Sequence, residues 1–230
     1  MIRLTKGTKP EILERLASTW TQVILDRLQG GERPTDAEKA RYRHPEVKAR
    51  LVAETHGKCA YCESKLLHIT HGDIDHIVPK SAAPEKSFEW ENLTLACDKC
   101  NENKSDHFGN HDDLVDPYIV EPSEHFFFEG PLFLPIPGSD PALLTETILK
   151  LNRSELLERR KEKIRYLAKS LDALARIQSE ELRAIVRRDL LEQEIRADQE
   201  FAALARHFVE RALAIMDRAI AARANSEKIP

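Results

Sequence analysis

Two cysteine pairs of the same form, Cys59-Ala-Tyr-Cys62 and Cys97-Asp-Lys-Cys100, are the only cysteines of the 230-residue chain. A pair of CxxC knuckles can place four thiolates tetrahedrally around Zn²⁺. Zinc held by four thiolates keeps no open coordination position, so this site would stabilise the fold without catalysing a reaction. The 34-residue spacer, 63–96, is long for a simple zinc ribbon, which predicts a folded unit between the knuckles.

Residues suited to hydrolysis lie in this spacer and directly after it. Asp75 and His76 are adjacent, Asn92 precedes the second knuckle, and Asn101 and Lys104 follow it. An imidazole titrates near pH 6.5 and can take a proton from water. Asp and Asn oxygens are hard ligands of the kind that Mg²⁺ or Mn²⁺ prefers. These residue types indicate a general base beside a metal ion.

The complete pattern, CxxC…DHI-P-K…NL…CxxCNxxK, resembles the signature of HNH endonucleases, which have a ββα-metal fold, here with zinc knuckles. The resemblance implies that His76 is the general base and that Asp75 and Asn101 bind the catalytic Mg²⁺ or Mn²⁺. It implies that Asn92 orients the imidazole through its side-chain oxygen or backbone carbonyl. Lys104 lies one helical turn from Asn101, so it shares that face of the predicted helix and could hold a phosphate oxygen. Many relatives have histidine at the position of Asn101, so water and DNA oxygens would complete the metal's coordination shell.

Several of these residues have simpler interpretations. Lys104 would be a solvated helix lysine as often as a phosphate ligand. Adjacent residues in a strand face opposite sides, so either the strand ends or bulges near Asp75 and His76, or the two reach different sides of the phosphate. His107 is a weaker candidate ligand than Asn101. Surface, turn or core positions explain the other residues considered, namely Tyr61, His68, His71, Trp90 and His125.

Further segments resemble one HNH subfamily, the nuclease subunit of Septu-type anti-phage systems, which is also found beside some retrons. They are Arg41–Pro45, the KCAYCESK start of the first knuckle, Asp116–Tyr118 and Thr147–Asn152, so the resemblance covers most of the chain. It implies that the protein acts with an ABC/SMC-type ATPase.

The elements that must position these residues divide the chain into three predicted regions. Region 1–57 is helical, with one helix over Pro10–Gln29 that ends at Gly30-Gly31 and a second over Pro45–Thr55. Region 58–140 is the nuclease module: strands Leu66–Thr70 and Asp73–Val78 around a hairpin at His71-Gly72, then a helix over Lys99–His107. Its apolar connector, Asp116–Pro141, is expected to pack on the module as irregular structure.

Region 141–230 is predicted to be a helical hairpin or bundle, which makes the fold class α+β and mostly α. A possible capping box from Asn152 to Glu155 introduces its first long helix. A heptad-like apolar seam follows at Leu157, Ile164, Leu167, Leu171 and Leu174. A later helix has its apolar stripe at Phe201, Leu204, Phe208, Ile215 and Ile220.

Charge is distributed unevenly around the net value of -4. The segment His56–His107 has six lysines and nine acidic residues, whereas Arg153–Arg188 has eleven basic and six acidic residues. DNA affinity comes from neutralised phosphates, so the flanking helices are better placed to hold DNA than the nuclease module. Ordinary ion pairs along a helix explain the same residues equally well. The candidate DNA contacts are Lys80, Arg159, Arg160, Lys161, Arg187 and Arg188.

The composition, 41% hydrophobic and 32% charged, is typical of a globular protein. No apolar run approaches the roughly 20 residues of a membrane span, and the first residues lack the features of a signal peptide. We therefore expect a cytoplasmic protein with no membrane partner. Two alternatives to the Septu-type nuclease stay open: a zinc-stapled nucleic-acid-binding or adaptor protein with a vestigial site, and a stand-alone restriction-type HNH enzyme.

Overall fold

The computed structural model describes residues 1–66, 72–107 and 114–226, with the side chains of 223–226 left out. Within these ranges the chain is mostly helical and has two small antiparallel sheets, as the predicted α+β class requires. The helices are α1 (Glu11–Gln29), α2 (Asp36–Lys39), α3 (Pro45–Glu54), α4 (Asp98–Lys104), α5 (Asp140–Leu149), α6 (Ser154–Arg176), α7 (Glu180–Asp189) and α8 (Ala202–Ser226), and the strands are β1 (Asp73–His76), β2 (Leu93–Ala96), β3 (Phe126–Glu129) and β4 (Leu132–Pro135).

The first helices confirm the sequence prediction to within a residue. Pro10 precedes α1, where its missing N–H costs nothing, and Gly30 ends the helix. Leu13, Ala17 and Ile24 bury one face of α1. Helix α3 begins at Pro45 as predicted. This helical segment packs into the same hydrophobic cluster as β1 and β2, so it forms part of the surroundings of the central sheet.

Strands β1 and β2 and helix α4 form the ββα unit. The two strands pair antiparallel in a regular register, from Asp73 opposite Ala96 to His76 opposite Leu93. Helix α4 begins two residues after β2. The other predicted strand, Leu66–Thr70, and the turn at His71 lie largely outside the described residues. In the described part of the chain the partner of β1 is β2, across the loop 77–92.

The connector is more regular than predicted. Strands β3 and β4 form a hairpin in it, whose turn includes Gly130 with a positive φ of 55°. Phe126 stacks on Phe133 at 4.3 Å between ring centroids. The expectation of irregular structure was wrong. Alternate residues of the FFFE segment are buried and exposed, which is the pattern of a strand with one face packed on the protein.

Helices α6 and α8 pack together through a second apolar cluster that includes Leu167, Leu171 and Leu174, as the heptad-like seam predicted. The predicted stripe on α8 is correct only in its first half. Ile215 and Ile220 are 52% and 50% exposed. Leu213 and Met216 on either side of Ile215 pack in the cluster instead, so Ile215 lies off the covered face of α8. No helix in the described ranges is both long and apolar enough to cross a bilayer. The three-region division remains a prediction.

The predicted capping box at the start of α6 was wrong. Arg153 precedes the helix, and its side chain makes no capping bond. The Asn152 side chain instead bonds both the N–H and the C=O of Phe133 at 2.8 Å each. It also donates to Glu146 and accepts from Arg160. Asn152 therefore joins the β3–β4 hairpin to α5 and α6.

We predict that Asn152→Ala lowers the free energy of unfolding by about 1–3 kcal/mol, because it leaves the partly buried polar groups of Phe133 without their partner. Urea denaturation followed by circular dichroism measures the change. The matched control is Gln22→Ala, since Gln22 is an exposed amide that bonds only Asp26 among the described contacts. Equal stability of the two variants would contradict this role.

Candidate active site and metal centre

The four cysteines meet at one point. Their Sγ atoms all lie within 4.8 Å of one another, and those of Cys62 and Cys97 are 3.8 Å apart. Tetrahedral zinc with bonds of about 2.3 Å separates its sulfur ligands by about 3.8 Å. The donor set and spacing therefore fit Zn²⁺, as the sequence predicted, and the cysteines can hold it.

Local contacts fix both knuckles. The Ala60 N–H donates to the Leu95 carbonyl of β2, and Cys97 caps α4 by accepting from the Cys100 N–H. Just before the first knuckle, the buried Lys58 ammonium bonds Glu63 and the Gln199 carbonyl. The first knuckle is thus held by β2 and by the segment that leads into α8.

Asp75 lies buried under α4 with both carboxylate oxygens engaged. The Tyr61 hydroxyl donates to Oδ2 at 2.6 Å, and the Lys104 ammonium contacts Oδ1 at 3.3 Å. The same ammonium donates to the His76 carbonyl at 2.6 Å. Lys104 is 1% exposed, so its interpretation as a solvated lysine was wrong. The charged end of the Lys104 side chain therefore lies between β1 and α4.

Burial raises the pKa of Asp75, and the Lys104 ammonium and the Tyr61 hydroxyl oppose that rise. Burial and the neighbouring Asp75 together raise the pKa of Tyr61 well above its usual range. Tyr61 therefore stays a protonated phenol that donates to the carboxylate. Tyr61 is a core residue, as predicted, but its bond to Asp75 was missed because nothing in the sequence distinguishes it from other buried tyrosines.

His76 is the last residue of β1, which pairs regularly through both positions, so Asp75 and His76 face opposite sides of the strand, the second of the two alternatives. Its Nε2 lies 2.9 Å from the Ser87 carbonyl. A carbonyl only accepts hydrogen bonds, so Nε2 is the protonated nitrogen and the neutral ring has its lone pair on Nδ1. Ser87 thus makes the contact that the sequence analysis assigned to Asn92.

Asn92 holds the loop after β1. Its Oδ1 accepts from the Val78 N–H at 2.7 Å. Its Nδ2 donates to the carbonyls of Val78 and Lys86 at 3.0 and 3.1 Å. Asn92 therefore positions Ser87 and the imidazole indirectly, by fixing the loop that supplies the carbonyl.

An aromatic residue of the N-terminal region covers the imidazole. The Tyr42 ring meets His76 edge to face at 4.6 Å between centroids, and the Lys80 ammonium donates to the Tyr42 hydroxyl at 3.2 Å. His76 is 5% exposed as a result. Burial lowers the pKa of His76 to about 3, against the opposing effect of the Ser87 carbonyl. The imidazole is neutral at physiological pH.

Asn101 contacts a carboxylate that the sequence analysis did not select. Its Nδ2 donates to Asp73 Oδ2 at 3.1 Å. Asp73 and Asp75 are two residues apart on a regular strand, so both face α4. This D-x-D spacing was the available signal. Among the described residues no group of three or more His, Cys, Asp or Glu side chains forms around Asp75.

The predicted DNA contacts differ in accessibility. Arg160 is 2% exposed and bonds the Pro131 carbonyl and Asn152, so its assignment as a DNA contact was wrong. Arg159 pairs with Glu162 and Glu200, and Arg188 is exposed. Two further candidates are also ion-paired, namely Lys161 with Glu158 and Arg187 with Asp217.

The remaining histidines add no ligand to this site in the described part of the chain. His107 is half-buried, and its Nε2 has no hydrogen-bond partner among the described residues. His125 bonds Ser139 in the connector. His68 and His71 lie outside the described residues.

The geometry agrees with comparisons to known proteins. Residues 59–107 match the family described as HNH endonuclease, and they include both knuckles, β1, β2 and α4. The chain therefore contains an HNH domain. The match begins at Cys59 and ends three residues after Lys104, so every predicted zinc, metal and catalytic residue falls within the HNH domain.

Two relatives extend the likeness. A protein named Septu protein PtuB from Bacillus thuringiensis is 30% identical over 82 residues, which cover 35% of this chain and 32% of that protein. Another Septu protein PtuB, from Bacillus mycoides (strain KBAB4), is 24% identical over 196 residues, covering 70% of this chain and 66% of the relative. The chain spans less than two thirds of either relative's length.

We predict one bound zinc ion per chain and its loss in Cys62→Ser, because a serine hydroxyl is a poor substitute for a thiolate ligand. Inductively coupled plasma mass spectrometry of purified protein measures the metal. Ser64→Ala is the control, since Ser64 touches Cys62 Sγ at 3.4 Å without being a ligand. Full zinc content in Cys62→Ser would exclude the four-cysteine site.

We predict that the His76 imidazole stays neutral down to about pH 5, where an imidazole of ordinary pKa, about 6.5, is mostly charged. Burial favours the neutral ring and lowers its pKa. A ¹H–¹⁵N NMR titration measures this, with the signal assigned by its absence in His76→Gln. Titration of His76 near pH 6.5 would show that the ring is open to water.

Proposed function

We propose that the HNH domain is a metal-dependent DNA endonuclease that hydrolyses phosphodiester bonds. The observation that supports this most is the arrangement at the end of β1. A neutral imidazole of fixed tautomer lies on one face of the strand, and a buried carboxylate with a paired ammonium lies on the other. This arrangement places a candidate general base, His76, and a charged pair, Asp75 and Lys104, at the same end of β1.

His76 is the proposed general base. Its Nε2–H is held by the Ser87 carbonyl, so Nδ1 is the atom that would take a proton from the attacking water. The Ser87 carbonyl also stabilises the imidazolium formed by that transfer, because it accepts from a charged donor more strongly than from a neutral one. Asn92 acts as a positioning residue by fixing the loop that contains Ser87.

Asp75 and Asn101 are the proposed ligands of a catalytic Mg²⁺ or Mn²⁺, and Asp73 is a third candidate on the same face. Bound there, the ion would stabilise the charge that develops on the phosphate and the leaving oxygen. Two carboxylates and an amide suit a hard ion. Because Lys104 already contacts Asp75 Oδ1, the ion must share that carboxylate with the ammonium or displace it.

Lys104 is proposed to hold a phosphate oxygen, because it lies one turn from Asn101 on the same face of α4. Its ammonium has three donors, and two are used in the structure, by Asp75 and by the His76 carbonyl. The third has no partner among the described contacts, and because the side chain is 1% exposed it would meet a phosphate only when the surrounding residues move. The two contacts already orient the buried ammonium group, so little side-chain entropy would be lost when it binds the substrate.

The likeness to Septu PtuB proteins supports a place in anti-phage defence, with an ABC/SMC-type ATPase as partner. The HNH segment is acidic, and Arg159, Lys161 and Arg187 are engaged in ion pairs. These features favour weak intrinsic DNA binding. A partner that delivers the DNA, or that frees these arginines and lysines, would supply the missing affinity.

We predict that His76→Ala lowers the rate of DNA cleavage by about 10²–10⁴-fold, the usual contribution of a general base. A plasmid-nicking assay with Mg²⁺ or Mn²⁺ measures the rate, with and without ATP and the product of the adjacent reading frame. Zinc content serves as the folding control and should not change. His125→Ala, a histidine in the connector, should cleave like the wild type.

The same assay separates the alternatives. Cleavage by the wild-type chain alone at a defined sequence would favour a stand-alone restriction-type enzyme. Absence of metal-dependent cleavage under all of these conditions would leave a zinc-stapled binding or adaptor protein. Cleavage that persists in His76→Ala would contradict the assignment of the base.

A further inference from the structure

Arg153 contacts two sulfur atoms of the cysteine cluster. Its Nη1 lies 3.7 Å from Cys100 Sγ and its Nη2 lies 3.7 Å from Cys97 Sγ. Both distances fall within hydrogen-bonding range for sulfur, and the two N–H groups belong to one planar guanidinium. The residue is half-buried and stands directly before α6.

Two further contacts fix the guanidinium in this position. Nη1 also donates to the carbonyls of Leu149 and Lys150, at 3.4 and 3.3 Å, at the end of α5. The left-handed turn at Lys150 ends that helix and leads the chain back toward the knuckle. The turn between α5 and α6 thus orients the guanidinium toward the cysteine cluster.

The charge of the cluster explains why a cation belongs there. One Zn²⁺ and four thiolates together have an excess of negative charge, and three of the four cysteines are buried. Uncompensated buried charge is costly. Two uncharged groups, the Cys100 N–H and the Ser64 hydroxyl, also contact the sulfurs. In the described part of the chain, Arg153 is the charged side chain that bonds them.

We propose that Arg153 is a positioning residue of the zinc site, which neutralises and orients the thiolates of Cys97 and Cys100 and fastens α6 to the second knuckle. An arginine suits this role better than a lysine, because its rigid fork can donate to two sulfurs at once. The proposal concerns the metal centre alone and does not depend on the nuclease activity.

A consequence follows for the reactivity of the two sulfurs. A zinc-bound thiolate is already deprotonated, so N–H···S bonds act on it only by lowering its intrinsic nucleophilicity, as a lower thiol pKa does. Removing the bonds should make Cys97 and Cys100 more nucleophilic while Cys59 and Cys62 change little. It should also weaken zinc binding by about 10–100-fold, the usual effect of losing a partner of a metal ligand.

The test uses the full zinc-loaded chain with Arg153→Gln and Arg153→Lys. Glutamine removes the charge, and lysine keeps it without the two-pronged geometry. Iodoacetamide alkylation is followed cysteine by cysteine with peptide mass spectrometry, and zinc affinity is measured by competition with a chromogenic chelator. Arg159→Gln is the control, because Arg159 lies on α6 and pairs with carboxylates instead of sulfurs.

The expected result is selective acceleration at Cys97 and Cys100, at least about threefold and larger in Arg153→Gln than in Arg153→Lys, together with weaker zinc binding. Circular dichroism should show unchanged helix content. A merely structural role predicts equal acceleration at all four cysteines, and that result would overturn the proposal. Unchanged reactivity in both variants would overturn it as well.

Discussion

The convergence of four thiolates is the constraint on which the rest of the HNH domain depends. The first knuckle lies before β1, and the second runs from the residue after β2 into the first turn of α4, so one ion bound there would tie β2 and α4 to the segment that precedes β1. With the second knuckle held in place, α4 must cross the face of β1 that presents Asp73 and Asp75. Lys104 and Asn101, one turn apart on α4, then meet those carboxylates. The geometry that brings the four cysteines together thus also brings together the residues of the candidate active site.

Sequence reasoning succeeded where a residue's chemistry and its spacing point the same way. The convergence of the cysteines and the start of α4 both follow from short-range patterns. The partners of the imidazole did not, since Ser87 contributes only a backbone carbonyl and Tyr42 comes from a separate region. Every residue has a backbone carbonyl, so residue type does not reveal which carbonyl contacts the imidazole. A contact between distant segments cannot be predicted from the periodicity of either segment.

The corrections have a common physical cause. Asn152 was interpreted as a helix cap and Arg160 as a DNA contact, because both residue types are usually found in those roles at the surface. In the structure they bond each other and the β3–β4 hairpin. Helix α6 contacts there a segment that had been expected to be irregular. Because that segment is a hairpin, its backbone groups at Pro131 and Phe133 next to α6 must be hydrogen-bonded by side chains.

The contacts of the first knuckle also affect how the protein forms during its synthesis. Glu63 and Lys58 bond residues near the start of α8, namely Ala203 and Gln199, about 140 positions further along the chain. A ribosome takes roughly ten seconds to add that many residues. Until they emerge, Lys58 and Glu63 have each other and the Met1 ammonium as partners, but they lack the Gln199 carbonyl and the Ala203 N–H. The packing around the first knuckle is therefore completed late in translation.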